Sequence, residues 1–354
     1  MHEASLYEKR EGSVVGCRLC AHGCVVAPGR RGVCGVRENR AGTLYTLTYG
    51  RLISSAVDPI EKKPLHHFLP GTRSYSIAAV GCNFRCDFCQ NWQISQAARE
   101  SGELPGEDWT PVEVAEAAAK RRCASVAYTY TEPTIFFEFA RDVAREAHAR
   151  GIANVFVTNG FQSPETVQAM AGLVDAANVD LKAFTEDFYR RHCGARLAPV
   201  TESIRLMHGA GIHVEVTTLL IPGRNDSAEE VRRLAEFLAS VSPDLAWHVS
   251  RFHPDYKALD LPHTPMESLE RAVRAGRAAG LRHVFVGNVG GGDSDTVCPA
   301  CGALVIRRAG FSAEAVTLRA SEAGGASCAK CGAALPIVTS WKPTSGKPTS
   351  PRPA

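Results

Sequence analysis

The sequence predicts an α/β protein built on a mainly parallel sheet that is closed, or nearly closed, into a barrel. From residue 73 to about residue 290, short apolar runs alternate with amphipathic segments of helical period. Such alternation is typical of parallel strands connected by covering helices. The 354-residue chain is 45% apolar, which is enough for a sizeable core. The pattern alone does not separate a barrel from an open doubly wound sheet.

The predicted elements follow one another in a regular order. The strands are Tyr75–Val80, Ser125–Tyr130, Asn154–Thr158, Ala177–Leu181, His213–Leu220, Trp247–Phe252 and His283–Gly287. The helices between them are Pro111–Arg122, Ile135–Ala149, Ser163–Gly172, Ala228–Val241 and Met266–Ala279. Thr110 before Pro111, and Ser163 before Pro164, place a hydroxyl cap ahead of a first-turn proline, which favours helix initiation.

Cysteine usage divides the chain further. We expect a Cys-rich segment with short strands at 1–72, the barrel at 73–290, a zinc-ribbon-like module at 291–340 after a glycine hinge at 290–293, and a disordered tail at 341–354. The N-terminus has no apolar signal segment, and no apolar run is long enough to cross a membrane. We therefore expect a cytoplasmic protein whose 13 cysteines bind metals rather than form disulfides. A net charge of +3 is too small to indicate binding to nucleic acid or to an anionic membrane surface.

The most informative motif is a group of three thiols, Cys82, Cys86 and Cys89, directly after the first predicted barrel strand. Cysteine thiolates are the usual ligands of a [4Fe–4S] cluster, and a closed electron-transfer cluster takes four of them. Three ligands on one short loop would leave one iron open for a substrate or cofactor. The alternatives are a zinc site or three reduced cysteines in a turn.

With Phe88 before the last cysteine, this loop resembles the signature of the radical S-adenosylmethionine (radical SAM) superfamily. The resemblance implies a partial (β/α)6 barrel, a [4Fe–4S] cluster on Cys82, Cys86 and Cys89, and SAM bound to the open iron through its amino and carboxylate groups. It also implies that one electron from the reduced cluster cleaves SAM to a 5′-deoxyadenosyl radical, which abstracts hydrogen from a substrate. Phe88 is then expected beside the cofactor. In barrels of this kind the chemistry lies at the C-terminal ends of the strands.

Four more cofactor-binding candidates follow or lie in the strands. Glu132 occupies a Thr-Glu-Pro segment where many members of the superfamily have Gly-Gly-Glu-Pro, whose backbone binds the SAM amino group; a helix cap is the alternative. Asn159, before a glycine, could contact the SAM carboxylate or simply form a tight turn. Thr218 precedes a turn that resembles the ribose-contacting segment of the superfamily. His253 ends the sixth strand, although a lone histidine is more often a core or surface residue.

Asp180 and Lys182 lie two residues apart on one strand, so their side chains point to the same side. If that side is the barrel interior, two ionisable groups there are costly unless they are paired or functional. The Asp-Leu-Lys triplet is similar to one in the pyruvate formate-lyase activating enzyme, where it lies beside SAM and the substrate peptide. The resemblance implies a catalytic role for Lys182 and a cofactor contact for Asp180. An exposed ion pair is the alternative.

Two cysteine quartets flank the barrel. The C-terminal quartet consists of Cys298, Cys301, Cys328 and Cys331. Its CxxC…CxxC pattern is typical of a tetrahedral zinc site in a zinc ribbon or rubredoxin-like knuckle. A rubredoxin-type iron is the competing metal. The N-terminal quartet could close around zinc or a second iron–sulfur cluster, and its spacing does not choose between them; it consists of Cys17, Cys20, Cys24 and Cys34. Cys123 and Cys193 stand alone and are predicted to be buried small apolar residues.

The N-terminal quartet, the three-cysteine loop, the Thr-Glu-Pro segment and Val-Asp-Leu-Lys together resemble the radical SAM enzymes of the AmmeMemoRadiSam system, over residues from about 15 to 290. These are relatives of the pyruvate formate-lyase activating enzyme. The resemblance implies an oxidoreductase of the glycyl-radical-activating type, with a protein substrate or a small molecule as hydrogen donor and a reductant protein as electron source. The alternatives are radical modification of a small molecule and a non-catalytic zinc-bearing adaptor.

Overall fold

The centre of the molecule is an eight-stranded sheet. The computed structural model describes residues 1–289 and 294–343, so the hinge expected at 290–293 and the tail beyond residue 343 lie outside the described residues. In chain order the strands are β1 (Ser54–Pro59), β2 (Arg73–Ala78), β3 (Ser125–Tyr128), β4 (Ala153–Thr158), β5 (Ala176–Asp180), β6 (His213–Leu220), β7 (Ala246–Arg251) and β8 (Val284–Gly287).

The strands lie side by side in the order of the chain. β2 to β8 pair in parallel, whereas β1, which precedes the expected boundary at residue 72, pairs antiparallel with β2. The predicted mainly parallel α/β sheet is therefore confirmed. In the described part of the chain no ladder joins β1 to β8, and closure into a partial (β/α)6 barrel stays a prediction.

Six longer helices connect or cover the strands: α1 (Pro111–Lys120), α2 (Phe137–His148), α3 (Pro164–Met170), α4 (Leu197–Gly209), α5 (Ala228–Val241) and α6 (Met266–Ala278). The Thr110 side chain accepts a hydrogen bond from the Glu113 amide at the start of α1, and Ser163 caps α3 in the same way. Such caps satisfy amide groups that have no partner inside the helix. α4 is not among the predicted helices, and its first turn has no side-chain cap. No helix in residues 1–289 and 294–343 is long and apolar enough to cross a membrane.

Short elements flank the sheet at both ends of the chain. The N-terminal strands are His2–Glu3, Tyr7–Lys9, Val15–Cys17, Val25–Val26, Arg37–Arg40, Thr43–Thr46 and Arg51–Leu52, the last paired with Glu107–Asp108. The C-terminal strands form two three-stranded sheets, Thr296–Val297, Leu304–Ala309 and Ser312–Ala315, and Leu318–Ala320, Ala326–Cys328 and Ala334–Leu335. The remaining helical turns are Glu11–Ser13, Ile60–Lys62, Trp92–Ser95, Ala97–Glu100, Pro133–Phe136, Glu186–Phe188 and the π-helical turn Tyr189–Cys193.

A buried carboxylate ties the segment after β1 to the sheet. Glu215, in the first half of β6, accepts hydrogen bonds from the amides of His66 (3.0 Å) and His67 (2.7 Å). Its oxygens also lie 2.7 Å from Nε2 of His248 and 3.2 Å from Nε2 of His213. Because a carboxylate only accepts, both rings must carry their proton on Nε2. This group fills the end of the sheet opposite to the C-terminal strand ends.

Candidate active site

Cys82, Cys86 and Cys89 line one side of a cavity of about 490 Å³. All three lie on the loop that follows β2, which is the position the sequence predicts. The Cys86 side chain is buried, whereas Cys82 and Cys89 are partly accessible from the cavity. Phe88 also lines the cavity, is 4% exposed and packs against Phe188 at 5.7 Å between ring centroids.

The three-cysteine loop is held by contacts from across the sheet. The amides of Arg85 and Asp87 donate to the carbonyls of Cys193 (3.0 Å) and His192 (3.1 Å). The Asp87 carboxylate is bound by the Arg224 guanidinium at 3.0 Å and lies 2.9 Å from Nδ1 of His192. The loop is thus held by contacts with the segments that follow β5 and β6.

The opposite walls of the cavity come from the C-terminal ends of the strands. The lining residues include Thr129 to Thr131 after β3, Asn159 after β4, Asp180 and Lys182 at the end of β5, Thr217 and Leu219 on β6, Ser250 on β7 and Asn288 after β8. Parallel strands present these ends at one edge of the sheet, which is where α/β enzymes bind their ligands. The cysteine loop and the strand ends therefore enclose one space.

Asp180 and Lys182 form an ion pair on the cavity wall, with Nζ 3.0 Å from Oδ2. The ammonium group also lies 5.9 Å from the centre of the Phe88 ring. Burial alone would lower the pKa of Lys182, but Asp180 and the Cys86 thiol raise it well above its usual value. The lysine is therefore a fixed positive charge beside the cysteine loop.

Asn159 lies against the three-cysteine loop, whereas Glu132 is turned away from the cavity. The Asn159 amide donates to Oδ1 of Asn83 at 2.7 Å and lies 3.8 Å from Sγ of Cys82. The fully buried Glu132 carboxylate caps the turn Pro133–Phe136 by accepting from the Thr134 amide at 2.9 Å. It also accepts a hydrogen bond from the backbone N–H of Asn159 at 2.8 Å, so it positions Asn159 instead of lining the cavity.

Thr218 and His253 are not brought into the cavity. Thr218 is buried on the other face of β6, where its hydroxyl donates to the Leu181 carbonyl at 2.9 Å and accepts from the Trp247 indole at 3.0 Å. Its neighbour Thr217 faces the cavity instead. His253 is exposed and reaches the rim only through Gln90, whose amide nitrogen lies 2.9 Å from Nε2 of the histidine.

Two lysines on the cavity wall, Lys62 and Lys63, are not among the site residues predicted from the sequence. Lys63 is almost fully buried, with Nζ 2.7 Å from the Asp58 carboxylate and 3.4 Å from the Tyr130 hydroxyl. Burial lowers the pKa of Lys63 to about 8, although Asp58 opposes the shift. Lys62 pairs with the same carboxylate at 2.8 Å. The segment that carries both lysines follows β1 and is distant in sequence from the strand ends that it faces. No local sequence pattern predicts such a long-range contact.

Cys193 lies beside the three-cysteine loop. Its buried thiol contacts Cys86, and this contact together with burial raises the pKa of the Cys86 thiol well above its usual value. Cys193 also ends the π-helical turn Tyr189–Cys193, a type of turn that often occurs near functional sites. The prediction of a buried small residue describes its packing but misses this position.

The residues present fit the cofactors that the loop implies. Three thiols face one cavity, and burial raises the pKa of Cys82 and Cys89, so metal binding there would displace protons. The buried Nδ2 of Asn83, between these thiols and Asn159, has no acceptor among the described residues. Cys82, Cys86 and Cys89 would hold the cluster, and the strand ends would hold the nucleoside.

The C-terminal quartet forms a compact tetrahedral set of donors. Sγ of Cys298 lies 3.7 Å from Sγ of Cys331, and Sγ of Cys301 lies 3.8 Å from Sγ of Cys328. A tetrahedron with metal–sulfur bonds of about 2.3 Å has an edge of about 3.8 Å. These four residues could therefore hold one ion, and all four coordination positions would be filled.

Comparisons with known proteins indicate the family to which the chain belongs. The sequence model described as the radical SAM superfamily matches residues 76–238. The chain is 43% identical over 340 residues to an uncharacterized protein of Methanocaldococcus jannaschii, covering 96% of this chain and 100% of that one. It is 29% identical over 174 residues to the benzylsuccinate synthase activating enzyme of Thauera aromatica, covering 45% and 53%. A radical SAM methyltransferase from Sphaerobacter thermophilus has a similar structure, with a TM-score of 0.48, 20% identity and coverage of 61% and 66%.

The matched range begins within β2, the strand that leads into the three-cysteine loop, and ends within α5. It therefore contains the loop and the C-terminal ends of β2 to β6, which supply most of the cavity wall. The full-length relative extends the similarity to the flanking segments. A [4Fe–4S] cluster and SAM are what this ancestry implies, and the chain is an enzyme of the radical SAM superfamily with distant homology to glycyl-radical activating enzymes.

Proposed function

We propose that the protein cleaves SAM reductively and uses the resulting radical to abstract hydrogen from a substrate. The single observation that supports this most is the convergence of three thiols from one loop on a cavity of about 490 Å³ that is also lined by residues in or directly after six successive strands, β3 to β8. A cavity of this size is within the range that binds drug-sized molecules. Cys82, Cys86 and Cys89 leave the fourth iron position of a [4Fe–4S] cluster without a protein ligand.

The side chains around the loop have distinct roles in this proposal. When bound and reduced, the cluster supplies the electron that breaks a carbon–sulfur bond of SAM. Asn159, held in place by Glu132, offers an amide to the polar end of the ligand beside Cys82. Lys182 places a positive charge near Cys86, where it favours the thiolate form and an added electron. Buried Phe88 and Cys193 keep water away from this side of the loop.

We propose a glycyl residue of a partner protein as the hydrogen donor, in the manner of glycyl-radical activating enzymes, and we propose the radical SAM enzymes of the AmmeMemoRadiSam system as the family of the chain. The support is homology: the benzylsuccinate synthase activating enzyme matches 45% of this chain. A small molecule is the second candidate: Lys62 and Lys63 line the cavity and share the one Asp58 carboxylate, which leaves a net positive charge that suits an anionic substrate. The electron is expected from a reductant protein.

Anaerobic reconstitution of the full chain with iron and sulfide, followed by dithionite and SAM, tests the proposal. We expect 5′-deoxyadenosine and methionine in equal amounts. The absence of 5′-deoxyadenosine from a preparation that retains its iron and sulfide would contradict it. Deuterium transfer into 5′-deoxyadenosine, either from a glycyl-radical enzyme labelled at glycine Cα or from labelled anionic metabolites, separates the two donors.

Replacing Lys182 with methionine is expected to slow SAM cleavage by about 100-fold, equivalent to about 2.7 kcal/mol. The change removes a fixed positive charge beside the loop and leaves Asp180 without its 3.0 Å partner. Lys120→Met, at the exposed end of α1, is the matched control. The measurement is the initial rate of 5′-deoxyadenosine formation at equal iron content. A rate within about twofold of that of the unaltered enzyme would show that Lys182 has no role in SAM cleavage.

A further inference from the structure

The N-terminal quartet forms a second enclosed group of thiols. One small cavity is lined by all four of its cysteines, Cys17, Cys20, Cys24 and Cys34. The other walls of this cavity include Leu19, Val26 and Ile135. The Cys17 amide donates to the Cys24 carbonyl at 2.8 Å, and the Val33 amide points at Sγ of Cys24 at 3.5 Å. Four thiols around an apolar space are a complete ligand set for a metal group.

The spacing of the sulfur atoms indicates which group fits. In the described residues, the C-terminal quartet is the one set of three or more cysteine, histidine or acidic side chains whose ligand atoms all lie within 4.8 Å of one another. Neither the N-terminal quartet nor the three-cysteine loop meets this limit. A single zinc ion needs sulfur atoms about 3.8 Å apart, whereas the ligands of a [4Fe–4S] cluster bind different irons and stand roughly 6 Å apart. The ligand atoms of the N-terminal quartet therefore do not all stand at the separation that one zinc ion requires.

The N-terminal quartet also lies directly against the three-cysteine loop. The Arg99 guanidinium donates to the carbonyl of Val33, next to Cys34, and to the carbonyl of Cys82, both at 2.9 Å. Nε2 of His22 lies 2.8 Å from the Asn83 carbonyl. Gly81 permits this approach, because a Cβ there would meet the Cys34 carbonyl oxygen at 3.2 Å. One arginine side chain thus spans the two cysteine groups.

We propose that the N-terminal quartet holds a second, fully ligated [4Fe–4S] cluster that relays electrons to the catalytic one. Four protein ligands leave no iron open, which is the form used for electron transfer. The partly exposed Cys20 and Cys24 give an external carrier access to this cluster. A reduced low-potential flavoprotein loses one electron, which passes through this cluster to the catalytic centre, where SAM accepts it as its carbon–sulfur bond breaks. The relay role rests on the proposed function, whereas the identity of the cluster does not.

Iron analysis of a variant without the catalytic ligands tests the identity. We expect C82A/C86A/C89A, reconstituted anaerobically, to retain about four irons and four sulfides per chain, against about eight of each in the unaltered protein. An electron paramagnetic resonance signal of a reduced [4Fe–4S] cluster that does not change on SAM addition is expected from the same sample. A variant that binds no iron, with two zinc ions per chain, would overturn the inference. This outcome is independent of whether SAM is cleaved.

Two further variants separate the sites and test the relay. C20A/C34A is expected to lose about four irons while keeping zinc, and Cys331→Ser is expected to lose zinc while keeping all the iron. With reduced flavodoxin as donor, C20A/C34A should cleave SAM at least about tenfold more slowly relative to its dithionite-driven rate. An equal loss with both reductants would overturn the relay. If C20A/C34A does not fold, the iron content of C82A/C86A/C89A still decides the identity of the cluster.

Discussion

Replacing Cys86 with alanine is expected to lower 5′-deoxyadenosine formation by at least about 1000-fold, equivalent to about 4 kcal/mol of barrier. Cys86 is one of only three protein ligands proposed for the cluster, and two thiolates on a loop do not hold it against loss of iron. The nearest other thiol, that of Cys193, contacts Cys86, so C86A/C193A serves as a second variant that excludes replacement of the lost ligand by Cys193. The measurement is 5′-deoxyadenosine by chromatography after anaerobic reconstitution.

Cys123→Ala is the matched control for this loss. Cys123 is also a buried thiol, at 5% exposure, but it precedes β3 and does not line the cavity. Both substitutions remove one buried sulfur atom, so each is expected to cost about 1 kcal/mol of unfolding free energy. Cys123→Ala should keep its full iron content and its SAM cleavage. Equal loss of activity in both variants would show that packing, not ligation, explains the effect.

Replacing Glu215 with alanine is expected to reduce the free energy of unfolding by about 3–5 kcal/mol. The carboxylate is the common acceptor of two buried amides, those of His66 and His67, and of two imidazole rings. Its removal leaves all four donors without a partner at the base of the sheet. Glu229→Ala, on the exposed face of α5, should change the same free energy by less than about 0.5 kcal/mol. Chemical denaturation at pH 7.5 measures both.

The same buried group predicts that the protein loses stability in mild acid. Burial lowers the pKa of His66 and His67 well below the usual value. Burial also lowers to about 4 the pKa of His283, whose ring packs edge-on against His67 at 4.5 Å between ring centroids. These rings stay neutral in the folded chain, whereas the unfolded chain takes up protons below about pH 6.5. Their contribution to stability is complete above that pH and falls below it, by about 1.4 kcal/mol per pH unit for each ring. The Glu215 carboxylate, whose pKa is held well below its usual value, keeps its contribution until much lower pH.

Denaturation between pH 7.5 and pH 5 measures this dependence. We expect a combined slope approaching about 4 kcal/mol per pH unit below pH 6.5, and a slope smaller by about 1.4 kcal/mol per pH unit in His67→Asn. A free energy of unfolding that stays constant or rises between pH 6.5 and pH 5 would show that these rings are protonated in the folded state.

Much of the sheet could be predicted because its strands and helices carry local signals. β6 has the predicted bounds His213–Leu220, and the other predicted strands differ from the structure by one or two residues at one or both ends. The three cysteines could be predicted as metal ligands because their short spacing can be read directly from the sequence. Asp180 and Lys182 also reach the cavity as a pair, although β5 ends at Asp180 and Lys182 lies two residues beyond it.

The remaining site residues depend on contacts that the sequence does not encode locally. Strands buried on both faces read as continuous apolar runs, so the pattern could not tell that Thr217 rather than Thr218 faces the cavity. Glu132 follows a strand as a cofactor ligand would, but its carboxylate satisfies backbone amides instead. Lys62 and Lys63 enter the cavity from a segment distant in sequence from the strand ends they face.

The central claim is that the protein leaves one iron of its cluster without a ligand and that SAM occupies it. Electron–nuclear double resonance of the reduced enzyme, with SAM labelled at the carboxylate oxygens or the amino nitrogen, tests this most directly. We predict strong hyperfine coupling of both labels to the cluster in the unaltered protein. SAM that binds with neither label coupled, while the cluster spectrum stays unchanged, would contradict the account.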